Sequence, residues 1–104
     1  MEYKFTDENF KEEVLQSEVP VMVDFYADWC NPCKMMAPLV KDLAEKFNGK
    51  VKIGKLNIEE NPNTTMQYGV MSIPTFLFFQ KGEKVKVITG AVSKGELESA
   101  LQKL

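Results

Sequence analysis

Cys30 and Cys33 are the only thiols in the chain, and they stand three positions apart in the stretch YADWCNPCKMMAP, Tyr26 to Pro38. Three chemistries use such a pair: half of a metal site, a structural disulfide, or a dithiol that hands on electrons by disulfide exchange. A structural zinc ion takes four nitrogen or sulfur ligands. With no histidine and no further cysteine, only carboxylates or a second chain could complete its shell, so no metal is expected. As a staple, the pair closes a very short loop, worth about 2 kcal/mol on the loop-entropy account against about 4.7 for a long loop. A chain of 104 residues that is 44% hydrophobic can build a core without it.

The flanking residues favour the reactive dithiol. Val19 to Ala27, VPVMVDFYA, is a nearly continuous apolar and β-branched run, as in a strand buried on both faces. It leads straight into Cys30, and a helical pattern follows. Cys30 therefore falls near a helix N-cap, where unpaired backbone N–H groups and the positive end of the helix dipole stabilise a thiolate. Cys33 lies about one turn further on the same face. Pro32 suits the first turn, where its missing N–H costs nothing. Lys34 is a cation where the dipole disfavours one, which fits either a solvated lysine or a role near the sulfurs. Trp29 reads either as a core aromatic or as a partly exposed platform for a partner. Asp24 is the odd residue of the strand, because an acid inside VMVDFYA must be partly buried. Burial without a cation raises a carboxyl pKa and makes a proton acceptor near neutral pH; an aspartate satisfied by hydrogen bonds is the plainer alternative.

These residues need a scaffold, and the periodicities supply one. TDENFKEEVLQS reads as a first helix with Thr6 as its N-cap. After the cysteines, Met36, Leu39, Val40, Leu43 and Phe47 recur at helical spacing up to Gly49, and Pro38 predicts a kink. VKIGKLNI is a further strand, NPNTTMQYG a short helix or turn, and TFLFF and KVKVIT a hairpin turning at Gly82. SKGELESALQKL opens with a Ser93–Glu96 capping box and closes the chain as a helix. With a weak strand at Tyr3–Phe5, the order is βαβαβαββα: an α/β fold in one domain, residues 1–104, with a mixed sheet flanked by helices on both faces.

Bulk properties exclude other classes. Thirteen lysines against fifteen acids, interspersed, leave a net charge of −2, and arginine is absent. No basic patch points to nucleic acid, and no apolar run approaches the roughly 20 residues that span a membrane. The N-terminal stretch has no signal-peptide core, so a cytoplasmic protein is expected, a compartment where paired cysteines are more often catalytic than structural.

At WCNPCK the chain resembles the thioredoxin family, and the resemblance extends through VDFYADWCNPCK, KLNIEENPNTTMQYGV, SIPTF, KGE and TGAVSKGEL in order. The resemblance implies the thioredoxin fold and reduction of protein disulfides, with Cys30 as the attacking and Cys33 as the resolving cysteine. It implies that Asp24 is the buried aspartate beneath the pair, with Lys55 near it, and that Pro74 is a cis-proline facing the dithiol. It further implies a substrate surface including Trp29, Asn31, Pro32, Ile73, Pro74 and Gly90. No cofactor beyond the disulfide is implied; a thioredoxin reductase and disulfide-containing proteins are the implied partners, and a monomer the expected state. Two positions depart from the family. Asn31 stands where glycine is usual, and Tyr26 where bacterial members commonly have tryptophan. Asn31 keeps a more oxidising, isomerase-like member in view, and the surface around Trp29, Ile73 and Pro74 could serve a non-catalytic binding module.

Overall fold

A computed structural model describes residues 1–104. Five strands, β1 (Tyr3–Lys4), β2 (Val21–Tyr26), β3 (Lys52–Asn57), β4 (Thr75–Gln80) and β5 (Glu83–Thr89), form one sheet in the order β1-β3-β2-β4-β5. Pairing is parallel from β1 to β3 and from β3 to β2, then antiparallel from β2 to β4 and β4 to β5. β2 is thus the central strand, as its unbroken apolar run requires, and Val21 to Phe25 are all buried.

Alternate residues of β2 feed two separate cores. Met22 packs with Ile53, Phe76 and Phe78 beneath α1 (Asn31–Lys46) and α3 (Lys94–Gln102). Val21, Val23 and Phe25 pack on the opposite face with Phe5, Phe10, Val14, Leu56, Leu77 and Phe79. That second face is covered by a π-helix (Lys11–Leu15) and by α2 (Pro62–Gln67), whose C-terminal Tyr68 stacks edge-on against Phe79. Each large side chain buried in this way contributes about 1.5–3 kcal/mol. The two cores, and not the four-residue disulfide loop, therefore hold the fold.

The first helix differs from the expected α-helix. Thr6 is not its N-cap: that position is Phe10, which makes no side-chain capping bond, while Thr6 closes the preceding turn, its hydroxyl accepting from the Asn9 N–H at 3.1 Å and Asn9 Oδ1 accepting from the Thr6 N–H at 2.7 Å. The coil that follows is wider, with the Gln16 N–H reaching the Lys11 carbonyl five residues back at 2.9 Å. The wider coil turns Leu15 as well as Val14 toward the apolar cluster that holds Phe10.

At the sheet edge, β1 lies close against Gly54 of β3. A Cβ there would sit 2.6 Å from both the Tyr3 carbonyl oxygen and the Phe5 ring, so only glycine admits the short strand. The β4–β5 hairpin turns at Lys81 and Gly82, both at positive φ, as tight right-twisted hairpins demand. Ser93 caps α3 by accepting from the Glu96 N–H at 3.1 Å, and Lys46–Glu98 and Lys94–Asp42 ion pairs join α1 to α3. No helix is long and apolar enough to cross a membrane.

Candidate active site

The strand-to-helix junction puts Cys30 at the N-cap of α1, with extended backbone (φ −88°, ψ 109°). Its sulfur accepts a hydrogen bond from the Cys33 N–H at 3.2 Å, taking up one of the orphan donors of the helix start. The two cysteines are joined as a disulfide, their Cα atoms 5.2 Å apart. Pro32 occupies the first turn, and α1 runs on through Pro38. Cys30 and Cys33 are buried together with Ala27, against Tyr26, Ile58 and Ile73. Around them, Asn31, Pro32 and Lys34 are exposed, and Trp29 is 63% exposed, which excludes the core-aromatic alternative.

A loop far along the chain completes the surroundings. The Ile73–Pro74 peptide is cis, and the Ile73 carbonyl lies 3.9 Å from the Cys30 sulfur. Ile73 is half-buried, Pro74 is buried, and the Pro74 carbonyl accepts from the Gly90 N–H at 2.8 Å. Gly90 has φ +92° and open space where a Cβ would stand, so its backbone conformation, not crowding, calls for glycine. The structure thus gathers Trp29, Cys30, Asn31, Pro32, Cys33, Ile73, Pro74 and Gly90 at one end of the sheet.

Asp24 and Lys55 stand one step below. They are register partners across β2 and β3, on the sheet face that α1 covers. Asp24 is 5% exposed, and its Oδ1 has no hydrogen-bond partner. Burial pushes the carboxyl up from its ordinary 3.8 to about 7; the charge of Glu2 adds to the rise and that of Lys55 opposes it. No ion pair joins the two, because the Lys55 ammonium lies instead 5.1 Å over the Tyr26 ring. A cleft of about 170 Å³ opens beside Lys55, lined by Tyr26, Asp28, Cys33 and Lys34 among others but not by Asp24. Lys55 and Cys33 therefore share one solvent-reaching space.

Comparison with known proteins agrees with this geometry. The thioredoxin family model matches residues 2–103. The chain belongs to the thioredoxin family. It is 53% identical to the thioredoxin of Synechocystis sp. and 51% identical to thioredoxin 1 of Nostoc sp., in both cases over 94% of this chain and 92% of the relative. It is also 50% identical to the chloroplastic M-type thioredoxin of Spinacia oleracea, over 93% of this chain and 54% of that relative. Thioredoxin-family membership, with Cys30 and Cys33 bonded to each other, gives thiol–disulfide oxidoreductase activity. Two neighbours escaped the sequence reading. Tyr26, singled out above only as a departure from the family, carries Lys55 over its ring; strand parity places it on the Asp24 face and is the available signal. Glu2 affects Asp24 only because β1 pairs beside β3, which no local pattern announces.

Proposed function

We propose that the protein reduces disulfide bonds in other polypeptides, with Cys30 as nucleophile, Cys33 as resolving thiol and Asp24 as the proton acceptor for Cys33. The observation that carries the reading is the Cys30 sulfur at a helix N-cap, accepting the Cys33 N–H and facing the Ile73 carbonyl. In the reduced form, backbone donors and the helix dipole favour a Cys30 thiolate. That thiolate attacks one sulfur of the substrate disulfide; a mixed disulfide forms, and the first substrate thiolate leaves and takes up a proton. Cys33 passes its proton to the Asp24 carboxylate by way of the cleft at Lys55, then attacks the Cys30 sulfur. The second substrate thiol departs, and two electrons and two protons have moved from the dithiol to the substrate. A carboxyl near 7 is about half ionised at neutral pH and so can both take and return that proton.

The cysteine pair carries the electrons itself, so the chemistry requires no cofactor. A thioredoxin reductase regenerates the dithiol, and a monomeric single domain in the cytoplasm is the proposed working state. Trp29, Asn31, Pro32 and Gly90 frame the substrate, while Ile73, beside Pro74, offers backbone to an extended substrate strand. Cys33→Ser is expected to trap covalent substrate complexes on non-reducing gels, and Cys30→Ser to trap none. The opposite pattern would exchange the two roles, and no complex with either variant would sink the mechanism.

A further inference from the structure

A second cleft lies on the other face of the sheet, walled in part by Met71, Ser72 and Thr75 on either side of Ile73–Pro74. It measures about 200 Å³, and its walls include Tyr68, Val70, Met71, Ser72, Thr75 and Val87. None of its lining residues is charged, whereas the cleft at Cys33 contains Asp28, Lys34 and Lys55. It exists because the π-helix and α2 leave β5 uncovered, with Val85 and Val87 about half exposed. One wall is rigid and the other adaptable. The Thr75 hydroxyl donates to the Ser72 carbonyl at 2.6 Å, while the Met71 side chain is 96% exposed. A long unbranched thioether can fold over whatever apolar group arrives.

We propose that this cleft is a substrate subsite that takes an uncharged apolar side chain of the polypeptide being reduced. The inference rests on the dithiol reading above. The occupant follows from continuity: Met71 and Ser72 directly precede Ile73, whose carbonyl lies against the Cys30 sulfur. A substrate strand held along Ile73 advances about 3.3 Å per residue, so a residue two positions from its cysteine comes level with Met71. The volume is below the roughly 300–1,000 Å³ of sites for whole small molecules and suits a single side chain. Adaptable apolar walls without charge select for hydrophobicity and not for one sequence, as a reductase of many proteins needs.

The test uses two disulfide-bridged peptides that differ only two positions from the cysteine, with Leu in one and Gln in the other. The pre-reduced protein should reduce the Leu peptide about tenfold faster, equivalent to about 1.4 kcal/mol. Met71→Gln and Val87→Gln should each remove most of that preference and leave reduction of the small disulfide dithiobis(nitrobenzoate) unchanged. Met71 is almost wholly exposed, so its variant tests the subsite without disturbing packing. Equal rates on the two peptides, or a preference that survives both variants, would overturn the subsite alone. A wild-type protein inert toward the small disulfide would overturn the dithiol reading and the subsite with it. Concentration-dependent dimerisation abolished by Val87→Gln would assign the cleft to a second copy of the chain and also overturn the proposal.

Discussion

Asp7 and Asp24 are two acids of one small domain-sized chain that have met opposite treatment. Asp7, just after β1, reaches across to α2, where its carboxylate oxygens accept from the Thr64 N–H at 2.9 Å and the Asn63 N–H at 3.2 Å. Its own N–H donates to Asn61 Oδ1 at 2.8 Å, and Asn61 donates to the Asn57 carbonyl at 3.0 Å. Partial burial pulls its carboxyl up, but the hydrogen bonds from Thr64 and Asn63 outweigh this and hold it below its ordinary 3.8. Asp24 has the burial without the donors, and its carboxyl rises to about 7. A satisfied carboxylate stays charged and fastens structure; an unsatisfied one becomes a group that trades protons near neutrality. The difference between them separates architecture from chemistry in this molecule.

The strongest test of that contrast is Asp24→Asn. For an acid whose folded pKa lies above its unfolded one, the native state holds the extra proton, so stability falls as pH rises between the two values. From 3.8 to about 7 the wild-type protein loses on the order of 4 kcal/mol relative to a chain that cannot ionise there. Urea unfolding should therefore show the variant gaining on the wild type from about pH 4 to pH 7 and keeping its lead above that. Release of the mixed disulfide should slow at neutral pH in the same variant. A stability difference that does not change with pH would mean that folding leaves the Asp24 pKa at its ordinary value, and one that grows in the wild type's favour as pH rises would mean that Asp24 is held ionised as Asp7 is.

Asp7→Ala should do the reverse at smaller size. Loss of a capping carboxylate costs typically about 1 kcal/mol, and reduction of disulfides should be unaffected. Because the folded pKa of Asp7 is depressed, its contribution is present above the ordinary carboxyl value and disappears as pH falls through the folded one. The denaturation difference between wild type and variant should thus vanish in acid, the opposite trend to Asp24→Asn. An effect on rate would break the division between the two regions.

Much of the scaffold was legible because it is written locally. The run VMVDFY is apolar on both parities, which marks a central strand, and Cys30 followed by Asn31 and Pro32 marks a helix start. Asp24 stood out for the same reason, as a charge inside such a run. What stayed hidden depends on pairing between distant segments. Asp7 and Thr64 lie 57 residues apart, and the place of Lys55 over Tyr26 instead of against Asp24 is set by β2–β3 register and side-chain reach. The π-helix was hidden for another reason: KEEVL fits an ordinary helix equally well, and only the demand that Leu15 also reach the core selects the wider coil.

Asn31 supplies the finest test, since it is polar, close to both sulfurs and assigned to neither region. Its side chain is exposed. The Cys30 sulfur accepts from the Cys33 N–H and lies 3.9 Å from the Ile73 carbonyl, both of them backbone groups that substitution at position 31 leaves in place. A residue can move the reduction potential only by stabilising one redox form more than the other, at about 30 mV for every 1.4 kcal/mol. Without a bond to either sulfur, Asn31→Gly should shift the potential by less than about 30 mV, measured by equilibration with glutathione. A larger shift would show that the amide reaches a sulfur in the reduced form. The tuning of the dithiol would then come from the exposed dipeptide between the cysteines as well as from the buried acid beneath them.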